Sequence, residues 1–250
     1  MLECKSLYAG YGKNAPLLRA LSFTAPSGAI TAILGENGVG KSTLFKAILQ
    51  EIRYTGAIFC DRADISTLSP RQRAARVSLL PQQLPAPALS VRETVALALA
   101  PQVSRLGAAE WERVDEQLAR VDIAGLAERL VSTLSGGERQ KVFLALMLTA
   151  DTPILLLDEP TAHLAPSFTA RFFEILREER KKGKTVLLIM HDVGEALANA
   201  DHVAVLSDGT LAFAGTPEEA LAQSIPEKLF GLTRYVAQRG EKTAVFFRAE

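Results

Sequence analysis

The sequence GENGVGKS at residues 35–42 decides the fold class of this chain. It satisfies the pattern GxxxxGK[ST], whose glycines let the backbone curl until its N–H groups point inward at an anion. The apolar run AITAIL precedes it at residues 29–34, and residues 41–50 behind it have a helical pattern. A strand, a glycine loop and a helix in this order predict a phosphate-binding loop, because the helix directs its positive dipole end at the same anion. The alternative, an unrelated glycine loop, would not require this order.

Two further apolar runs predict strands of the same sheet. They are ILLL at residues 154–157 and TVLLIM at residues 185–190. Runs that are apolar at every position are typical of strands covered on both faces of a parallel sheet. Since helical patterns lie between the runs, the sequence predicts an α/β fold. Polar residues follow each run, at the end where open α/β sheets bind ligands.

Local signals predict several helix starts and one hairpin. Ser69, Ser90 and Thr216 each stand three residues before a Gln or Glu, which is the capping-box pattern. A long helix is predicted over residues 167–182, ending at Gly183. Residues 203–207 and 210–214 predict a hairpin around Asp208-Gly209.

The stretch from residue 84 to residue 149 contains no convincing strand. It predicts a helical subdomain inserted in an α/β core that residues 1–83 and 150–250 form. The length of 250 residues fits one domain of this kind, with a small inserted part.

Composition narrows the function classes. The 28 basic and 28 acidic residues give zero net charge, which argues against a nucleic-acid coating protein because phosphate binding leaves a basic footprint. The best candidate for a local basic patch, formed by Lys181, Lys182 and Lys184, is interpreted as a solvated helix end. Cys4 and Cys60 lack CxxC spacing, so neither a disulfide framework nor a zinc site is predicted and a reducing compartment fits.

The sequence predicts no signal peptide and no membrane span. The first ten residues, MLECKSLYAG, lack a basic segment followed by an apolar one. No apolar run approaches the ~20 residues that a spanning helix needs. We therefore expect that any membrane is reached through a partner.

Asp158 and Glu159 follow the apolar run at residues 154–157 directly. A carboxylate at the end of a buried strand, beside a phosphate loop, is placed to hold Mg²⁺, and the next carboxylate can act as a general base on water. An apolar run followed by two acids is weak alone, since many strands end in acidic turns. Together with the phosphate loop it predicts nucleotide hydrolysis.

The sequence LSGGE at residues 134–138 resembles the signature motif of ABC ATPases. It stands between the phosphate loop and Asp158, which is the order in that family. Ser135 and Glu138 also form a capping-box pattern, which leaves a glycine-lined positive helix end facing outward. The resemblance covers almost the whole chain, and it implies a P-loop NTPase core with a mostly parallel sheet, an N-terminal antiparallel β region and the inserted helical subdomain.

The resemblance also implies a set of functional residues. The signature of one subunit closes on the ATP that the other subunit's phosphate loop holds. The implied catalytic residues are Glu159, His191, Gln82 and Lys41. The implied ATP-binding residues are Tyr11, Gly35, Glu36, Asn37, Gly38, Val39, Gly40, Lys41, Ser42 and Thr43, with Ser135, Gly136, Gly137 and Glu138 acting on the ATP of the opposite subunit. The implied Mg²⁺ ligands are Ser42, Gln82 and Asp158.

Several of these assignments have alternatives. Tyr11 matches the aromatic residue that stacks on adenine, but an ordinary half-buried tyrosine competes with that interpretation. Gln82 matches the glutamine that reaches Mg²⁺ and the attacking water, although the neighbouring Gln83 leaves the register open by one residue. His191 matches the histidine that contacts the γ-phosphate. His163 and His202 are interpreted as structural or surface residues.

One position departs from the family pattern. After Pro160-Thr161 the family usually has an Asp that contacts the opposite subunit's phosphate loop, and this chain has Ala165 there. We therefore expect an altered coupling across the dimer. Because the implied catalytic and metal-binding residues Lys41, Asp158, Glu159 and His191 are all present, we expect hydrolysis to survive.

The segment LSPRQRAARV at residues 68–77 resembles the importer ATPases that serve iron-siderophore, haem and cobalamin uptake, and so does PTAHL at residues 160–164. The resemblance implies a homodimer that binds two ATP and drives uptake of a metal chelate through permease subunits, together with a substrate-binding protein. It implies a peripheral position on the cytoplasmic face of the membrane and no nucleic-acid partner.

Two other functions remain open. An ABC ATPase without a transporter, acting in translation or DNA repair, would show salt-dependent nucleic-acid binding. A non-enzymatic nucleotide switch, suggested by Ala165, would release no phosphate with or without Mg²⁺.

Overall fold

The computed structural model describes residues 1–12, 15–103, 105–162, 164–239 and 242–249. The chain divides into two compact units. The first contains Met1–Ser66 and Thr185–Glu250, and the second contains Thr67–Lys184.

Strands and helices alternate along the chain. The strands are β1 (Leu2–Ala9), β2 (Leu18–Ala25), β3 (Ala29–Gly35), β4 (Tyr54–Cys60), β5 (Ala63–Asp64), β6 (Val77–Leu80), β7 (Ile154–Asp158), β8 (Thr185–Ile189), β9 (His202–Ser207), β10 (Thr210–Gly215), β11 (Leu232–Arg239) and β12 (Lys242–Ala249). The helices are α1 (Lys41–Ile48), α2 (Pro70–Ala74), α3 (Val91–Ala96), α4 (Ala108–Arg120), α5 (Gly136–Ala150), α6 (Pro166–Lys181), α7 (Val193–Asn199), α8 (Pro217–Ala222) and α9 (Ile225–Phe230).

The core of the first unit is a sheet with the strand order β10-β9-β3-β8. β3 pairs in parallel with β8 and with β9, whereas β9 and β10 are antiparallel. Every residue of β3 and of β8 is buried. The continuous apolar runs therefore predicted both strands correctly, because each strand is covered on both faces.

The N-terminal antiparallel sheet has the strand order β2-β1-β4-β5, as the fold expectation required. Its strands are irregular. Ser6 and Ala20 have φ values of 46° and 50°, and the pairing of β1 with β2 and with β4 shifts register near these positions. A bulge of this kind interrupts the period-two alternation of a strand, so the sequence pattern did not predict β1 or β2.

In the second unit, β6 and β7 pair in parallel, and every residue of β7 is buried. No strand is assigned among the described residues between 84 and 149, where α3, α4 and α5 lie. The predicted subdomain therefore falls wholly inside the second unit, and its boundaries at residues 84 and 149 stay a prediction.

The predicted helix starts are confirmed. Ser69, Ser90 and Thr216 each accept a hydrogen bond from the N–H three residues later, and in each capping box the Gln or Glu side chain returns the contact. The long helix predicted over residues 167–182 is α6, shifted by one residue. The predicted hairpin is β9–β10, and Asp208 and Gly209 at its turn have φ values of 47° and 72°, which suits a tight hairpin turn.

The interpretation of the lysine cluster is wrong for Lys184. Its side chain is only 8% exposed, and its ammonium lies 2.6 Å from Asp151 Oδ1 and 2.5 Å from Glu179 Oε2. Lys182 also pairs with Glu179, at 2.7 Å. Lys184 therefore belongs to a buried ion-pair network rather than to a solvated helix end. A count of charges in the sequence could not show this, because the acidic partners come from α6 and from the residue after α5.

Two features of the C-terminal region were not predicted. β11 and β12 form an antiparallel hairpin, and α9 begins at Ile225. No helix of the described residues is both long enough and apolar enough to cross a membrane.

Candidate functional site

The glycine loop at residues 35–42 connects β3 to α1, as predicted. Gly40 is the N-cap of α1 and has a φ of 112°, and no side chain caps the helix there. A Cβ on Gly35 would lie 2.6 Å from the carbonyl oxygen of Leu206 in β9. Only glycine fits these two positions, so the loop can bring its backbone N–H groups close to an anion at the start of α1.

Lys41 lies folded over this loop. Its ammonium donates hydrogen bonds to the carbonyl oxygens of Gly35 at 2.6 Å and of Glu36 at 3.0 Å. The side chain is buried, with the residue 6% exposed. These contacts keep the charge at the loop, and a phosphate would offer it an anionic acceptor, which binds an ammonium more strongly than a neutral carbonyl does.

The outer residues of the loop are open to solvent. Glu36, Asn37 and Gly38 are exposed, and with Val39 they line a cavity of about 550 Å³ within the first unit. Leu229 and Phe230 also line this cavity. The loop therefore presents its tip to space that the unit does not fill.

Tyr11 lies beside the start of α1. The hydroxyl of Thr43 lies 3.4 Å from the hydroxyl of Tyr11, and the ammonium of Lys46 lies 5.3 Å from the centroid of the tyrosine ring. Tyr11 is 49% exposed, so its ring has free surface on which a base could stack. Lys46 was not predicted, and nothing distinguishes it in the sequence from other helical lysines.

His191 lies near the phosphate loop because of how β8 pairs with β3. Ile189, the last residue of β8, is opposite Ile33, and the N–H of Met190 donates to the carbonyl of Ile33 at 3.2 Å. The carboxyl ends of parallel strands meet at one edge of a sheet. The exposed His191 therefore follows β8 at the edge where β3 enters the glycine loop.

The second unit brings Gln82 and Glu159 together. Asp158 is the last residue of β7 and is buried, and Glu159 follows it with a φ of 51°. Gln82 Nε2 donates to Glu159 Oε2 at 2.8 Å. Gln82 is therefore the glutamine that reaches Glu159. Within the described residues, no hydrogen bond joins the neighbouring Gln83 to Glu159.

The LSGGE segment forms the start of α5. Ser135 is the N-cap, and its Oγ accepts from the N–H of Glu138 at 3.3 Å while Glu138 Oε2 accepts from the N–H of Ser135 at 2.8 Å. The backbone and side-chain hydrogen bonds from Ser135 lower the pKa of Glu138. The capping box predicted from the sequence is confirmed, and it leaves Gly136 and Gly137 as the first two helical residues.

Ala165 is the N-cap of α6. Its φ of −64° and ψ of 145° suit an N-cap residue, but its side chain makes no capping hydrogen bond. His163, two residues earlier, lies outside the described residues. His202 is the first residue of β9 and is half-buried.

Within the first unit, the predicted residues Tyr11, Lys41, Thr43 and His191 lie around the two ends of one glycine loop. Within the second unit, Gln82, Asp158 and Glu159 lie together at the end of β7. The second unit also carries the glycine-lined start of α5 in the LSGGE segment. Each unit therefore presents polar groups at the C-terminal ends of its parallel strands, as open α/β sheets do at ligand sites.

The sequence profile of the ABC transporter family matches residues 18–162, which is more than half of the chain. The chain belongs to the ABC transporter family. As an ABC transporter ATPase it binds and hydrolyses ATP, and the glycine loop, Asp158 and the LSGGE segment are the parts of the sequence that predicted this.

Relatives of this ABC ATPase confirm the subfamily that the sequence resembles. The ferric enterobactin transport ATP-binding protein FepC of Escherichia coli (strain K12) is 34% identical over 92% of this chain and 87% of its own length. The hemin import ATP-binding protein HmuV of Jannaschia sp. (strain CCS1) is 37% identical over 94% of this chain and 89% of its own length. The iron(3+)-hydroxamate import ATP-binding protein FhuC of Bacillus subtilis (strain 168) is 32% identical over 92% of this chain and 87% of its own length.

A solved structure has the same fold as this ABC ATPase. An ATP-binding subunit of an ABC transporter superposes with a TM-score of 0.82 at 26% identity, covering 89% of this chain and 92% of that one. The α/β architecture with a mostly parallel sheet and an antiparallel N-terminal sheet is therefore that of an ABC cassette.

Proposed function

We propose that this chain is the ATP-hydrolysing subunit of an importer for metal chelates of the iron-siderophore, haem or cobalamin class. One observation carries the proposal: relatives between 30% and 37% identical, matched over most of both chains, are named as ATP-binding proteins for siderophore, hydroxamate or hemin transport. The segment at residues 68–77, LSPRQRAARV, supports the same class.

The assembly that we propose is a homodimer on permease subunits, served by a substrate-binding protein, at the cytoplasmic face of the membrane. Two copies would hold two ATP molecules, and the glycine-lined start of α5 in each copy would face the ATP of the other. A helix start with this arrangement suits an anion because its first N–H groups and its dipole both favour negative charge. The members of this start are Ser135, Gly136, Gly137 and Glu138.

On the ATP side, we assign phosphate binding to the glycine loop and adenine stacking to Tyr11. Lys41 would turn from the carbonyls of Gly35 and Glu36 to the β- and γ-phosphates, because an anionic acceptor attracts the ammonium more strongly than a neutral carbonyl does. His191, at the same edge of the sheet, would donate to the γ-phosphate.

Hydrolysis on this assignment needs a base that takes a proton from water. Glu159 would accept that proton, and Gln82, which already holds Glu159 Oε2 at 2.8 Å, would orient the carboxylate and the water. The γ-phosphoryl group would pass to the water oxygen and ADP would leave.

The residues assigned to Mg²⁺ fit that ion by their chemistry. Ser42, Gln82 and Asp158 offer hydroxyl, amide and carboxylate oxygens, which are the hard ligands that Mg²⁺ takes. Among the described residues, no group of three or more His, Cys, Asp or Glu side chains could hold a metal ion. When bound, Mg²⁺ would neutralise charge on the phosphates.

Glu159→Gln tests the enzymatic part of the proposal. We expect phosphate release to fall by about a hundredfold or more, while ATP binding persists and an ATP-bound dimer accumulates. Glu174→Gln is the matched control, because Glu174 is an exposed carboxylate on α6 that pairs with Arg171 at 3.3 Å. Unchanged phosphate release in Glu159→Gln would show that Glu159 is not the base. If the unmodified chain releases no phosphate with or without Mg²⁺, a nucleotide switch is favoured instead.

A further inference from the structure

The turn that carries Glu159 is held from behind by a buried glutamine. Gln140, on α5, donates a hydrogen bond from Nε2 to the carbonyl oxygen of Pro160 at 2.9 Å. Gln140 is only 3% exposed, and Pro160 is buried as well. A buried carbonyl needs a partner, because water cannot replace a lost hydrogen bond there. Gln140 supplies that partner for the residue that follows Glu159.

The backbone at this turn is strained. Glu159 has a φ of 51°, in the left-handed region that a residue with a side chain rarely adopts. The next residue is proline, which further restricts the residue before it. Such a conformation persists only where surrounding contacts determine it, and it is typical of functional sites. The contact from Gln140 to Pro160 acts on the peptide unit directly after the strained residue.

Glu159 is therefore fixed from two sides. Gln82 binds its carboxylate at 2.8 Å, and Gln140 fixes the backbone behind it. The contact with Gln82 does not fix the backbone of Glu159, and the contact with Gln140 does not fix the side-chain rotamer of Glu159. Together they define the direction of the carboxylate.

Gln140 also connects this turn to the start of α5. It lies four residues after Gly136, the first residue of the helix, a distance of about 6 Å along the axis. The adjacent Lys141 places its ammonium 3.9 Å from the ring centroid of Phe168 in the first turn of α6. Two neighbouring side chains of α5 thus hold the two ends of the segment that runs from Glu159 to α6.

We propose that Gln140 is a positioning residue for Glu159, and that through it the LSGGE helix start and the hydrolytic carboxylate move as one body. This rests on the proposed role of Glu159 as the base. An ATP that binds to the start of α5 would shift α5, and the bond from Gln140 to Pro160 carries that shift to the turn. Binding at the helix start would then affect the orientation of the carboxylate in the same subunit.

Gln140→Met tests the proposal, because methionine keeps the length and bulk of glutamine but cannot donate to Pro160. We expect kcat for ATP to fall by about tenfold, which corresponds to about 1.4 kcal/mol, with KM for ATP unchanged within about twofold. Gln140→Glu keeps the shape and places an acceptor against the carbonyl, so its kcat falls at least as far. A displaced catalytic group has this signature, because binding is retained and only the transition state is affected.

Val142→Ala is the matched control for a loss of packing. Val142 is fully buried on the same helix, so its truncation destabilises α5 without removing the bond to Pro160. The kcat per folded molecule should stay at the unmodified value. If Gln140→Met changes kcat no more than Val142→Ala does, Gln140 is only a packing residue and the proposal is overturned.

A double substitution separates this proposal from the proposed function. In a Glu159→Gln background, Gln140→Met should cause no further loss, since the group that it positions is already gone. An additive further loss overturns the positioning role. Full turnover in Glu159→Gln alone would instead refute the role of Glu159 and leave the contact between Gln140 and Pro160 as a structural one.

Discussion

Ala165→Asp should stabilise this protein, although it replaces the natural residue. Ala165 has the backbone conformation of an N-cap and makes no capping hydrogen bond, and the first turn of α6 contains no acidic residue. An Asp side chain at this position can accept from the N–H of Ser167 or Phe168, which contributes about 1 kcal/mol. Its charge adds about 0.3–1 kcal/mol at the positive end of the helix dipole.

The expected total is therefore about 1–2 kcal/mol, and the midpoint of thermal unfolding should rise by roughly 2–4 °C for each kcal/mol in a chain of this size. Calorimetry or circular dichroism at low and high salt measures the effect. Ala165→Asn is the control, because it keeps the cap without the charge. The Asp variant should exceed the Asn variant only at low salt, since salt screens the dipole interaction.

Neither variant should be less stable than the unmodified protein, and the absence of any gain in stability at every salt concentration would contradict this prediction. Ala165 would then not present its side chain to the first turn of α6. A stabilising Asp would instead show that this chain lacks a cap that its own backbone geometry could accommodate.

Three further predictions concern buried and strained groups. Burial alone would raise the pKa of Glu179, but hydrogen bonds from two lysines, the charge of one of these lysines and a hydrogen bond from an arginine outweigh burial and lower the pKa from 4.5 to about 2. The stability that the ionised carboxylate contributes is therefore full above pH 4.5 and is lost as the pH falls through about 2. When unfolding is measured at decreasing pH, the unmodified protein should lose stability more steeply than Glu179→Gln does. Gly40→Ala should weaken ATP binding by about tenfold or more because of its φ of 112° and a Cβ contact of 2.5 Å, whereas Gly125→Ala, with nothing within 4 Å of its Cβ, should bind ATP normally in the same assay. Cys4 and Cys60 are buried free thiols, and burial raises the pKa of Cys4. An alkylating reagent at neutral pH should therefore modify neither thiol until denaturant is added, and rapid labelling of the folded protein would contradict this prediction.

The sequence predicted the parts of the fold in which one residue pattern determines one structure. β3, β7 and β8 are apolar at nearly every position because both of their faces are covered, and short apolar runs between turn residues are typical of such strands. The capping boxes at Ser90 and Ser135 could also be predicted from the sequence, because they depend only on contacts within four residues.

The elements that were missed depend on contacts that are distant in sequence or on irregular backbone. β1 loses its alternation at Ser6, where the left-handed φ inserts a bulge. Lys184 resembled a solvated lysine because its partner Glu179 lies on the preceding helix and its burial is a tertiary property. The hydrogen bond of Gln140 could not be predicted, since a single glutamine in a helical sequence does not indicate which carbonyl oxygen its side chain contacts.

The residues of the candidate site were easier to predict than their geometry. The resemblance to ABC ATPases supplied the residue identities, and the structure added that Gln82 rather than Gln83 contacts Glu159. It also added the strained φ of Glu159. Neither contact distances nor backbone strain can be derived from motif spacing, because both depend on the path of the chain after β7.

The assignment as a metal-chelate import ATPase is tested by ATP hydrolysis of this chain in complex with its co-purified permease in lipid vesicles. Phosphate release is measured with a panel of iron chelates, haem and corrinoids supplied with the substrate-binding protein. We predict that one class of chelate stimulates phosphate release several-fold, and that Glu159→Gln abolishes the stimulated rate while Glu174→Gln retains it. Turnover that no chelate changes, together with salt-dependent binding of nucleic acid by the chain, would contradict the assignment as a metal-chelate import ATPase.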